Sequence, residues 1–351
     1  MTSPLGVLLL SCVRHQRTYA EQFAARLDAR IVAVADEPNI PSWMHEVNQR
    51  FADRYAVPYL RDVATALQRS DVAVVSVCSE PTRHARLATW AARARKHVWV
   101  DKPMATTAAD ADALIAAVEA AAVKLSYVHR LHTPAIQYAR RCLDRGDIGL
   151  PQALHLSFVS TGNVTSGAVE DFQLVVDSTL SGGGELMNFL GYPVDTVRYL
   201  TGQDVTRVYV SAGTYFFAPH REHGVEDFGV VFLTLARGII ATVVVGRAPT
   251  PNHPTGGDYT LRLHGSAGTL IVDENRPVVT IHAEPPAPPA RSGQSLAEAT
   301  IAPLVDEFMT CIREDRQPLR TMHDGRAAIA VIEAAYRSLA SGRVESVATL
   351  G

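Results

Sequence analysis

The segment Val98-Trp-Val-Asp-Lys-Pro103 decides how the rest of the chain is interpreted. β-Branched and aromatic residues run directly into a charged pair and a proline, which is typical of a short buried strand that ends abruptly. Because ligands of open α/β sheets bind where strands end, Lys102 is a candidate for chemistry. The alternative is a surface Asp-Lys pair ahead of a turn, and the flanking segments decide between the two.

The composition is that of a globular chain with room for two domains, since it has 351 residues. A formal charge of -3 gives no electrostatic reason to expect a nucleic acid or an anionic membrane as partner. The apolar start, Met1–Leu10, is too short to span a bilayer and lacks a basic region and a cleavage site. The cysteines are scattered, without the spacing of a zinc or redox motif: Cys12, Cys78, Cys142 and Cys311. These features predict a cytoplasmic protein that binds neither nucleic acid nor membrane.

Strands alternate with helices through the first third of the chain, which predicts a doubly wound parallel sheet over residues 1–126. The apolar runs of strand length are Leu5–Leu10, Ile31–Ala35, Val72–Val77 and Val98–Val100. Right-handed crossovers between parallel strands place the residues that follow them along one edge of the sheet. Those residues are Ser11, Asp36, Ser79 and Asp101.

Asp36 lies about 25 residues past the first strand end, close to the distance at which an acid meets an adenosine ribose. Its carboxylate would accept both ribose hydroxyls and repel a 2′-phosphate, so NAD is favoured over NADP; the alternative is an exposed turn aspartate. The first turn, however, has Ser11, Val13 and Gln16 where a dinucleotide fingerprint has glycines. Amides at the helix start could still face the phosphates, and Arg14 could neutralise them.

The order of these elements resembles that of the glucose–fructose oxidoreductase / inositol dehydrogenase / MocA family (Gfo/Idh/MocA). VWVDKPMA at residues 98–105 is similar to the family's strand and Glu-Lys-Pro motif, with Asp101 in place of Glu. VAVADEPN at residues 32–39 matches its second strand and ribose acid. VSVCSEPTRHARLA at residues 75–88 corresponds to a Thr-Pro-x-x-x-His segment, with Ser79 and Glu80 substituted and His84 retained. The chain is thus identified as a divergent member that lacks the glycine fingerprint.

The resemblance implies a Rossmann domain followed, over residues 127–351, by an α+β domain with a large, mostly antiparallel open sheet. It places the Lys102-Pro103 pair beside the nicotinamide, with a peptide bond that is often cis. It also implies subunit pairing through the open face of the second sheet, as a homodimer or homotetramer. The cofactor-binding residues that it predicts are Ser11, Cys12, Val13, Arg14, His15, Asp36, Cys78, Ser79, Glu80, His84, Asp101, Lys102 and Pro103.

A glycine run, Ser181-Gly-Gly-Gly184, is predicted to bring the backbone close to another surface before a helix that continues to Leu200. In the family such a run precedes a helix with Asp, then His four residues later, then Asp. The corresponding residues here are Asn188, Tyr192 and Asp195. Because of their spacing, Asn188 and Tyr192 share one helix face.

The chemistry of these residues sets their predicted roles. Asn188 can orient a hydroxyl but cannot take its proton. Tyr192 can do both if its pKa falls from about 10, and the ammonium of Lys102 nearby would lower that pKa. Alternatively, Tyr192 is an ordinary packing residue. YVHRLHTPAI at residues 127–136 resembles the family's domain-crossing segment around an arginine, which makes Arg130 a further substrate-binding candidate.

The remainder of the chain predicts β-strands in succession from residue 207 to residue 282, as suits an antiparallel sheet. The polar segment Thr161–Leu180 is predicted to be a long loop over the crevice. His220, His223 and His253 are predicted to be solvated loop residues, and no metal site is expected because ligand spacing is lacking.

The combined hypothesis is an NAD(H)-dependent oxidoreductase. It transfers hydride to or from a carbinol carbon of a sugar, nucleotide-sugar or cyclitol, with Lys102 and Tyr192 as the proton relay. Arg130, Asn188 and Asp195 help to position the substrate. Two alternatives stay open: a lyase or glycosidase that oxidises and re-reduces its sugar with retained NAD, and a non-catalytic sensor or partner-binding protein. The missing glycines and the replacements Asp101 and Asn188 count in favour of the latter, whereas the retained Lys102 and the tyrosine in the relay position argue against it.

Overall fold

The first part of the chain forms a six-stranded parallel sheet with the strand order β3-β2-β1-β4-β5-β6. The computed structural model describes residues 3–162, 171–249, 257–275, 278–283, 290–291 and 296–348. The strands are β1 (Leu5–Leu10), β2 (Ala29–Ala35), β3 (Tyr59–Leu60), β4 (Val74–Val77), β5 (His97–Val100) and β6 (Leu125–Tyr127). The helices are α1 (Gln16–Ala24), α2 (Ser42–Tyr55), α3 (Val63–Leu67), α4 (Pro81–Arg93) and α5 (Ala108–Ala121).

The strands are nearly continuous apolar runs because the sheet is covered on both faces. In β1, for example, every residue from Gly6 to Leu10 is buried. The predicted doubly wound sheet is confirmed, and its carboxyl edge carries the residues expected there. The strand order reverses between β1 and β4, and a crevice for ligands opens at such a switch point. The three-residue strand β6 was not predicted, since it is too short to show a period.

The second part is built on a nine-stranded sheet in the order β14-β13-β12-β11-β7-β10-β9-β8-β15, and only β7 and β10 pair in parallel. Its strands are β7 (Pro151–Thr161), β8 (Val205–Gly213), β9 (Phe228–Leu235), β10 (Ile240–Ala248), β11 (Gly257–Gly265), β12 (Gly268–Asp273), β13 (Val278–Ala283), β14 (Ala290–Arg291) and β15 (Glu345–Ser346). Its helices are α6 (Pro134–Arg145), α7 (Gln173–Val176), α8 (Ser178–Ser181), α9 (Glu185–Phe189), α10 (Gly191–Thr201), α11 (Ala218–Glu222), α12 (Leu296–Glu314) and α13 (Met322–Ser341). A short 3-10 turn, Ala236–Gly238, links β9 to β10. The predicted α+β class is confirmed.

Two expectations about this second part need correction. The predicted loop at residues 161–180 contains α7 and α8, while its stretch 163–170 lies outside the described residues. The single helix expected up to Leu200 is instead two helices, α9 and α10, that meet at Leu190. The physical reason is Pro193, which has no N–H to donate to the carbonyl of Phe189.

Helix α12 returns to the first sheet, although it lies near the end of the chain. Trp99 of β5 is fully buried and packs against Tyr19, Phe23 and Phe308, with ring centroids 5.5, 5.8 and 5.8 Å away. Phe308 belongs to α12, so the core of the first sheet includes residues from both parts of the chain. The two sheets divide near residue 126, but the hydrophobic core does not. A domain boundary at this residue therefore remains a proposal. No helix in the described part of the chain is both long and apolar enough to cross a membrane.

Replacement of Phe308 by alanine tests this packing. We expect Phe308→Ala to lower the free energy of unfolding by about 3–5 kcal/mol, because it removes a buried ring from the Trp99 cluster. Urea unfolding followed by tryptophan fluorescence measures the change. The control Leu27→Ala concerns a side chain that is 99% exposed and is expected to change the stability by less than about 0.5 kcal/mol. Equal effects of the two substitutions would contradict this packing.

Candidate active site

The turn between β1 and α1 keeps a glycine-like backbone although it has no glycine. Ser11 has a φ of 63°, in the left-handed region that a glycine adopts without strain. Its Oγ is buried and has no hydrogen-bond partner among the described residues. Gln16 is fully buried and its side chain bonds Ser76 Oγ at 2.9 Å, so it fills the space of the third glycine. Val13 is buried as well.

This turn fits a dinucleotide despite its side chains. Ser11 Oγ is buried without a hydrogen-bond partner among the described residues, and a bound ligand would supply one. The amides of Val13 and Arg14 likewise find no acceptor within the described ranges. They lie one and two residues before His15, the N-cap of α1, so they are next to the positive helix start that stabilises a phosphate. Cys12, also predicted to contact the cofactor, is fully buried in the same turn.

Asp36 follows β2 and is fully buried, so the alternative of an exposed turn aspartate is wrong. Its carboxylate accepts hydrogen bonds from Asn48 Nδ2 at 2.9 Å and from Arg83 Nη1 at 2.7 Å. Arg83 also pairs with Glu80 and Glu37. Asp36 is thus paired with a cation, which the sequence did not reveal because Arg83 lies 47 positions away along the chain.

Asp101 is a buried anchor beside this turn. It accepts hydrogen bonds from Tyr19 OH at 2.6 Å and from the Lys102 amide at 2.7 Å, and His15 Nδ1 lies 2.7 Å away. Cys78 Sγ lies 3.5 Å from the same carboxylate. Burial opposes the charge of Asp101, but these neighbours and chiefly His15 hold its pKa well below the usual range. Asp101 and His15 thus position α1 and the Lys102 segment; cofactor contact by either remains a prediction.

His84 of α4 contacts the backbone of the segment that follows β5. Its ring nitrogens lie 2.7 Å from the carbonyl oxygen of Pro103 and 2.8 Å from that of Ser79, and the ring is fully buried. The Lys102-Pro103 peptide is cis, as the resemblance implied. Ser79 Oγ donates to the carbonyl of Glu80. These residues therefore shape the edge of the sheet, and a direct contact with cofactor is still a prediction for each of them.

Lys102 projects from this edge to the second part of the chain. Its Nζ donates to the carbonyl oxygen of Asn188 at 2.8 Å and to the side-chain Oδ1 of the same residue at 2.5 Å. Lys102 is 8% exposed, and Nζ lies 5.0 Å from the Phe189 ring centroid. Burial, reinforced by the charge of Arg14, lowers the pKa of Lys102 to about 7. Lys102 can therefore exchange a proton near neutral pH.

Glu185 fixes the orientation of Asn188. The amide Nδ2 of Asn188 donates to Glu185 at 2.7 Å, which turns its Oδ1 to Lys102. Glu185 also accepts from Arg247 at 2.7 Å and lies 3.3 Å from His220. Although burial opposes it, Arg247 above all lowers the pKa of Glu185 to about 2. Sequence reasoning missed Glu185 and Arg247, and its expectation of a solvated His220 is wrong because His220 is fully buried.

The glycine run explains why Glu185 can lie at this position. A Cβ on Gly183 would lie 2.2 Å from Tyr336 OH, and one on Gly184 would lie 2.3 Å from the carbonyl oxygen of Glu226. The predicted close approach of backbone to a neighbouring surface is confirmed. Tyr336 OH accepts from the Gly184 amide at 3.0 Å and donates to Glu226 at 2.8 Å. The start of α9 is thereby held against α13.

Tyr192 lies beside Lys102, but its pKa moves in the direction opposite to the prediction. Its ring packs 5.0 Å from that of Phe158, and Lys102 Nζ lies 5.5 Å from its centroid. Burial, followed by the charge of Asp101, raises the pKa of Tyr192. Lys102 faces the ring, and the hydroxyl has no hydrogen-bond partner in the described part of the chain. Tyr192 is therefore a neutral phenol at physiological pH.

Arg130 and Asp195 lie on either side of Tyr192. The Arg130 guanidinium is 4.5 Å from the ring centroid of Tyr259 and 5.9 Å from that of Tyr192, and it pairs with Glu274 at 3.5 Å. Asp195 lines one cavity with Lys102 and Tyr192. Its carboxylate accepts a hydrogen bond from Tyr127 OH at 3.0 Å, and burial raises its pKa to about 6. Asp195 thus lies in the cavity of Lys102, whereas Arg130 contacts the rings of Tyr192 and Tyr259.

Arg14 leaves the first turn and contacts the second part of the chain. Its Nη2 donates to Asn188 Oδ1 at 3.2 Å, and its Nη1 donates to the carbonyl of Leu174 at 3.3 Å. The guanidinium is therefore directed at the Lys102–Asn188 pair. The predicted contact of Arg14 with phosphates is not tested by this geometry.

One group of three potential metal ligands occurs among the described residues: His129, His132 and Glu307. His132 Nε2 lies 2.8 Å from Glu307, and the His129 ring stacks on His132 with centroids 5.4 Å apart. His129 Nδ1 accepts from the Leu131 amide at 3.3 Å, whereas its Nε2 is buried without a hydrogen-bond partner among the described residues. His223 is exposed, whereas His253 lies outside the described residues. The expectation that the protein holds no metal stays a prediction.

Neutralising Glu185 tests the network that orients Asn188. We expect Glu185→Gln to lower the free energy of unfolding by about 3–5 kcal/mol, because it leaves the buried guanidinium of Arg247 without its anion. Denaturant unfolding measures the change. The matched control Glu21→Gln breaks exposed pairs with Arg17 and Arg54 and is expected to cost less than about 1 kcal/mol. A loss for Glu185→Gln as small as that of the control would contradict the assignment.

Comparisons with known proteins match both parts of the chain to one family. Residues 13–129 match the family described as "Oxidoreductase family, NAD-binding Rossmann fold", and residues 136–271 match "GFO/IDH/MocA C-terminal domain". The chain is 26% identical to the inositol 2-dehydrogenase of Rhizobium meliloti (strain 1021), over 97% of this chain and 98% of that protein. It is 27% identical to the D-apiose dehydrogenase of Paraburkholderia graminis, over 83% and 77% of the two chains.

The fold also matches solved structures. GenD2 from gentamicin A biosynthesis, crystallised with NAD, superposes with a TM-score of 0.83 at 22% identity, over 99% of this chain and 98% of that chain. An oxidoreductase domain protein from Kribbella flavida superposes with a TM-score of 0.84 at 21% identity, over 99% and 100% of the two chains. At these identities the likeness shows the fold alone. Taken with the two family matches, it shows that the chain belongs to the Gfo/Idh/MocA family and is an oxidoreductase with an NAD-binding Rossmann domain.

Proposed function

We propose that the protein is an NAD(H)-dependent dehydrogenase or reductase that acts on a carbinol carbon of a sugar, nucleotide-sugar or cyclitol. The observation that carries the proposal is Lys102, a buried amine with a pKa of about 7 at the crevice edge of the Rossmann sheet. An amine of this kind can take or return a proton at neutral pH. The names of the inositol and D-apiose dehydrogenases support the class of reaction.

The residues that would hold the cofactor are the first turn and Asp36. Amides at the start of α1 and Ser11 Oγ are available for phosphate oxygens. Asp36 suits a ribose diol, and Arg83 is already neutralised by three carboxylates: Asp36, Glu37 and Glu80. Arg83 is therefore not available to a 2′-phosphate, so NAD is favoured over NADP. When bound, NAD accepts or donates the hydride.

Lys102 performs the proton transfer in this proposal. In the oxidative direction its neutral amine takes the proton of the substrate hydroxyl, and in the reductive direction its ammonium returns that proton. The two oxygens of Asn188 occupy two positions around Nζ and leave another for the substrate. Tyr192 has a raised pKa and keeps its proton. It donates a hydrogen bond to the substrate, so the relay reduces to Lys102 with Tyr192 as an orienting group.

The pH dependence of turnover tests the role of Lys102. For alcohol oxidation, kcat is expected to rise with pH through about 7, because the neutral amine is the active form. For ketone reduction, kcat is expected to fall over the same range. Lys102→Met is expected to lower kcat by about 10²- to 10⁴-fold and to abolish the inflection. Stopped-flow NADH absorbance on a panel of polyols, cyclitols and sugars gives both profiles.

Cofactor binding provides the control for that experiment. NADH should bind wild type and Lys102→Met with dissociation constants within about threefold of each other, as calorimetry on cofactor-free protein would report. Lys124→Met, which removes a lysine paired with Asp315 outside the site, should leave kcat unchanged. Absence of NADH and NADPH binding to the wild type would overturn the proposed function. A pH inflection that persists in Lys102→Met would overturn the role of Lys102.

We further propose that the outer face of the second sheet joins subunits into a homodimer or homotetramer. Phe232 and Ile240 of adjacent strands are 48% and 55% exposed, and Tyr209 is 37% exposed. Such an apolar patch on a sheet is typical of a protein interface. The four cysteines are buried and form no disulfide among the described residues, which suits the reducing cytoplasm that we propose as the compartment.

A charge placed in this face tests the assembly. Phe232→Glu is expected to convert the oligomer to monomers, because it buries an unpaired carboxylate at the contact. Light scattering after size-exclusion chromatography measures the mass. Leu319→Glu, at a site 41% exposed on the loop before α13, is the matched control and should leave the mass unchanged. A monomeric wild type at micromolar concentration would contradict the proposal.

A further inference from the structure

Two buried cations meet at one neutral oxygen in the candidate site. Arg14 is 5% exposed and Lys102 is 8% exposed. Both donate to Oδ1 of Asn188, over 3.2 Å from Arg14 Nη2 and 2.5 Å from Lys102 Nζ. The amide of Asn188 cannot rotate away, because Glu185 holds its Nδ2. The guanidinium of Arg14 and the amine of Lys102, which is positively charged below pH about 7, are thus fixed around an uncharged acceptor.

Neither of these cations has an anionic partner among the described residues. Arg247, the other buried cation beside Lys102, is by contrast paired with Glu185. The carboxylates of Asp101 and Glu185 attract these cations from a distance, but Asp101 accepts its side-chain hydrogen bonds from His15 and Tyr19 and makes no direct ion pair with Arg14 or Lys102. Arg14 Nε is buried and has no hydrogen-bond partner within the described ranges. Since buried charges are costly unless they are paired, the site lacks one anion.

We propose that the substrate supplies this anion as a carboxylate next to the reacting carbinol, so that the substrate is a sugar acid. The proposal rests on the proposed function and names its substrate class. Arg14 and Lys102 share one acceptor atom, so the groups that they bind must be close together in the substrate. A 2-hydroxy acid has this arrangement, with its carboxylate on Arg14 and its hydroxyl on Lys102. Guanidinium groups suit carboxylates because they donate from two nitrogens.

The reaction balances without a further reactant. In the oxidative direction the C–H and O–H bonds of the carbinol break, and the C=O bond of a 2-oxo acid forms. The hydride goes to NAD, which is the oxidant, and the proton goes to Lys102. The carboxylate itself is unchanged and stays on Arg14.

Arg14 could instead bind the phosphates of the cofactor, because it lies in the turn between β1 and α1. Its guanidinium, however, donates to the carbonyl of Leu174 and to Asn188, which both belong to the second part of the chain. The guanidinium also lies close to Lys102, since among the neighbouring charges it has the largest effect on the pKa of that amine. This position favours a ligand at the reacting group, and the variants below separate the two roles.

Paired ligands test the proposal directly. The panel consists of C4 to C6 aldonates, each measured against the alditol of the same configuration, with and without NADH, by calorimetry. The matching 2-oxo acids and ketoses are assayed for NADH oxidation. We expect at least one aldonate to bind about tenfold or more tightly than its alditol. Arg14→Gln should weaken that aldonate about thirtyfold while the dissociation constants of its alditol and of NADH stay within about threefold.

Two further variants keep the outcome unambiguous. Arg17→Gln removes an exposed guanidinium from the same helix and should leave every constant unchanged. Asn188→Asp supplies a carboxylate between the two cations, so it should weaken aldonate binding and remove the preference over the alditol. Circular dichroism and NADH binding report whether each variant is folded.

Each result has one meaning for the proposal. No aldonate binding more tightly than its alditol would overturn it. A loss of NADH affinity in Arg14→Gln, with the aldonate constant unchanged, would also overturn it, because Arg14 would then serve the phosphates. Failure of the wild type to bind NADH would reject the proposed function instead, since the ligand pairs are also measured without cofactor.

Discussion

The buried carboxylate of Asp101 is the group on which the arrangement of the site depends. A carboxylate removed from water must be fully hydrogen-bonded, and its donors here come from two elements that are distant in sequence. Tyr19 and His15 belong to α1 and its turn, while the amide of Lys102 follows β5. Satisfying one acid therefore fixes the first turn, the strand end and the start of the lysine side chain relative to one another.

Low polarity then decides which group of the site titrates near neutral pH. Burial disfavours a charge of either sign, so it lowers the pKa of an amine and raises that of a phenol. Lys102 and Tyr192 share one environment and shift in opposite directions for this reason. A cationic neighbour adds to the effect on the amine, because Arg14 repels a second positive charge. The phenol keeps its proton in spite of the lysine that faces its ring.

The fold could be predicted, because strand alternation is a local pattern. The spacing that was expected to place Asn188 and Tyr192 on one helix face does not hold, since they lie on α9 and α10. Their meeting with Lys102 could be predicted only through the family resemblance. The partners of these residues could not. The pairing of Arg247 with Glu185 spans 62 positions and that of Arg83 with Asp36 spans 47, and no local period encodes them. The direction of the Tyr192 shift depends on burial, which only the packed structure fixes. The break before α10 was readable from Pro193 but was overlooked.

The contact between Trp99 and α12 has a consequence for biosynthesis. Strand β6 ends at Tyr127, whereas α12 begins at Leu296, so the face of the first sheet around Trp99 stays uncovered while the intervening chain is made. At ribosomal rates of roughly 5–20 residues per second, that exposure lasts on the order of ten seconds. The nascent Rossmann half thus presents an open aromatic surface to chaperones throughout this interval, and it reaches its native core only when synthesis is almost finished.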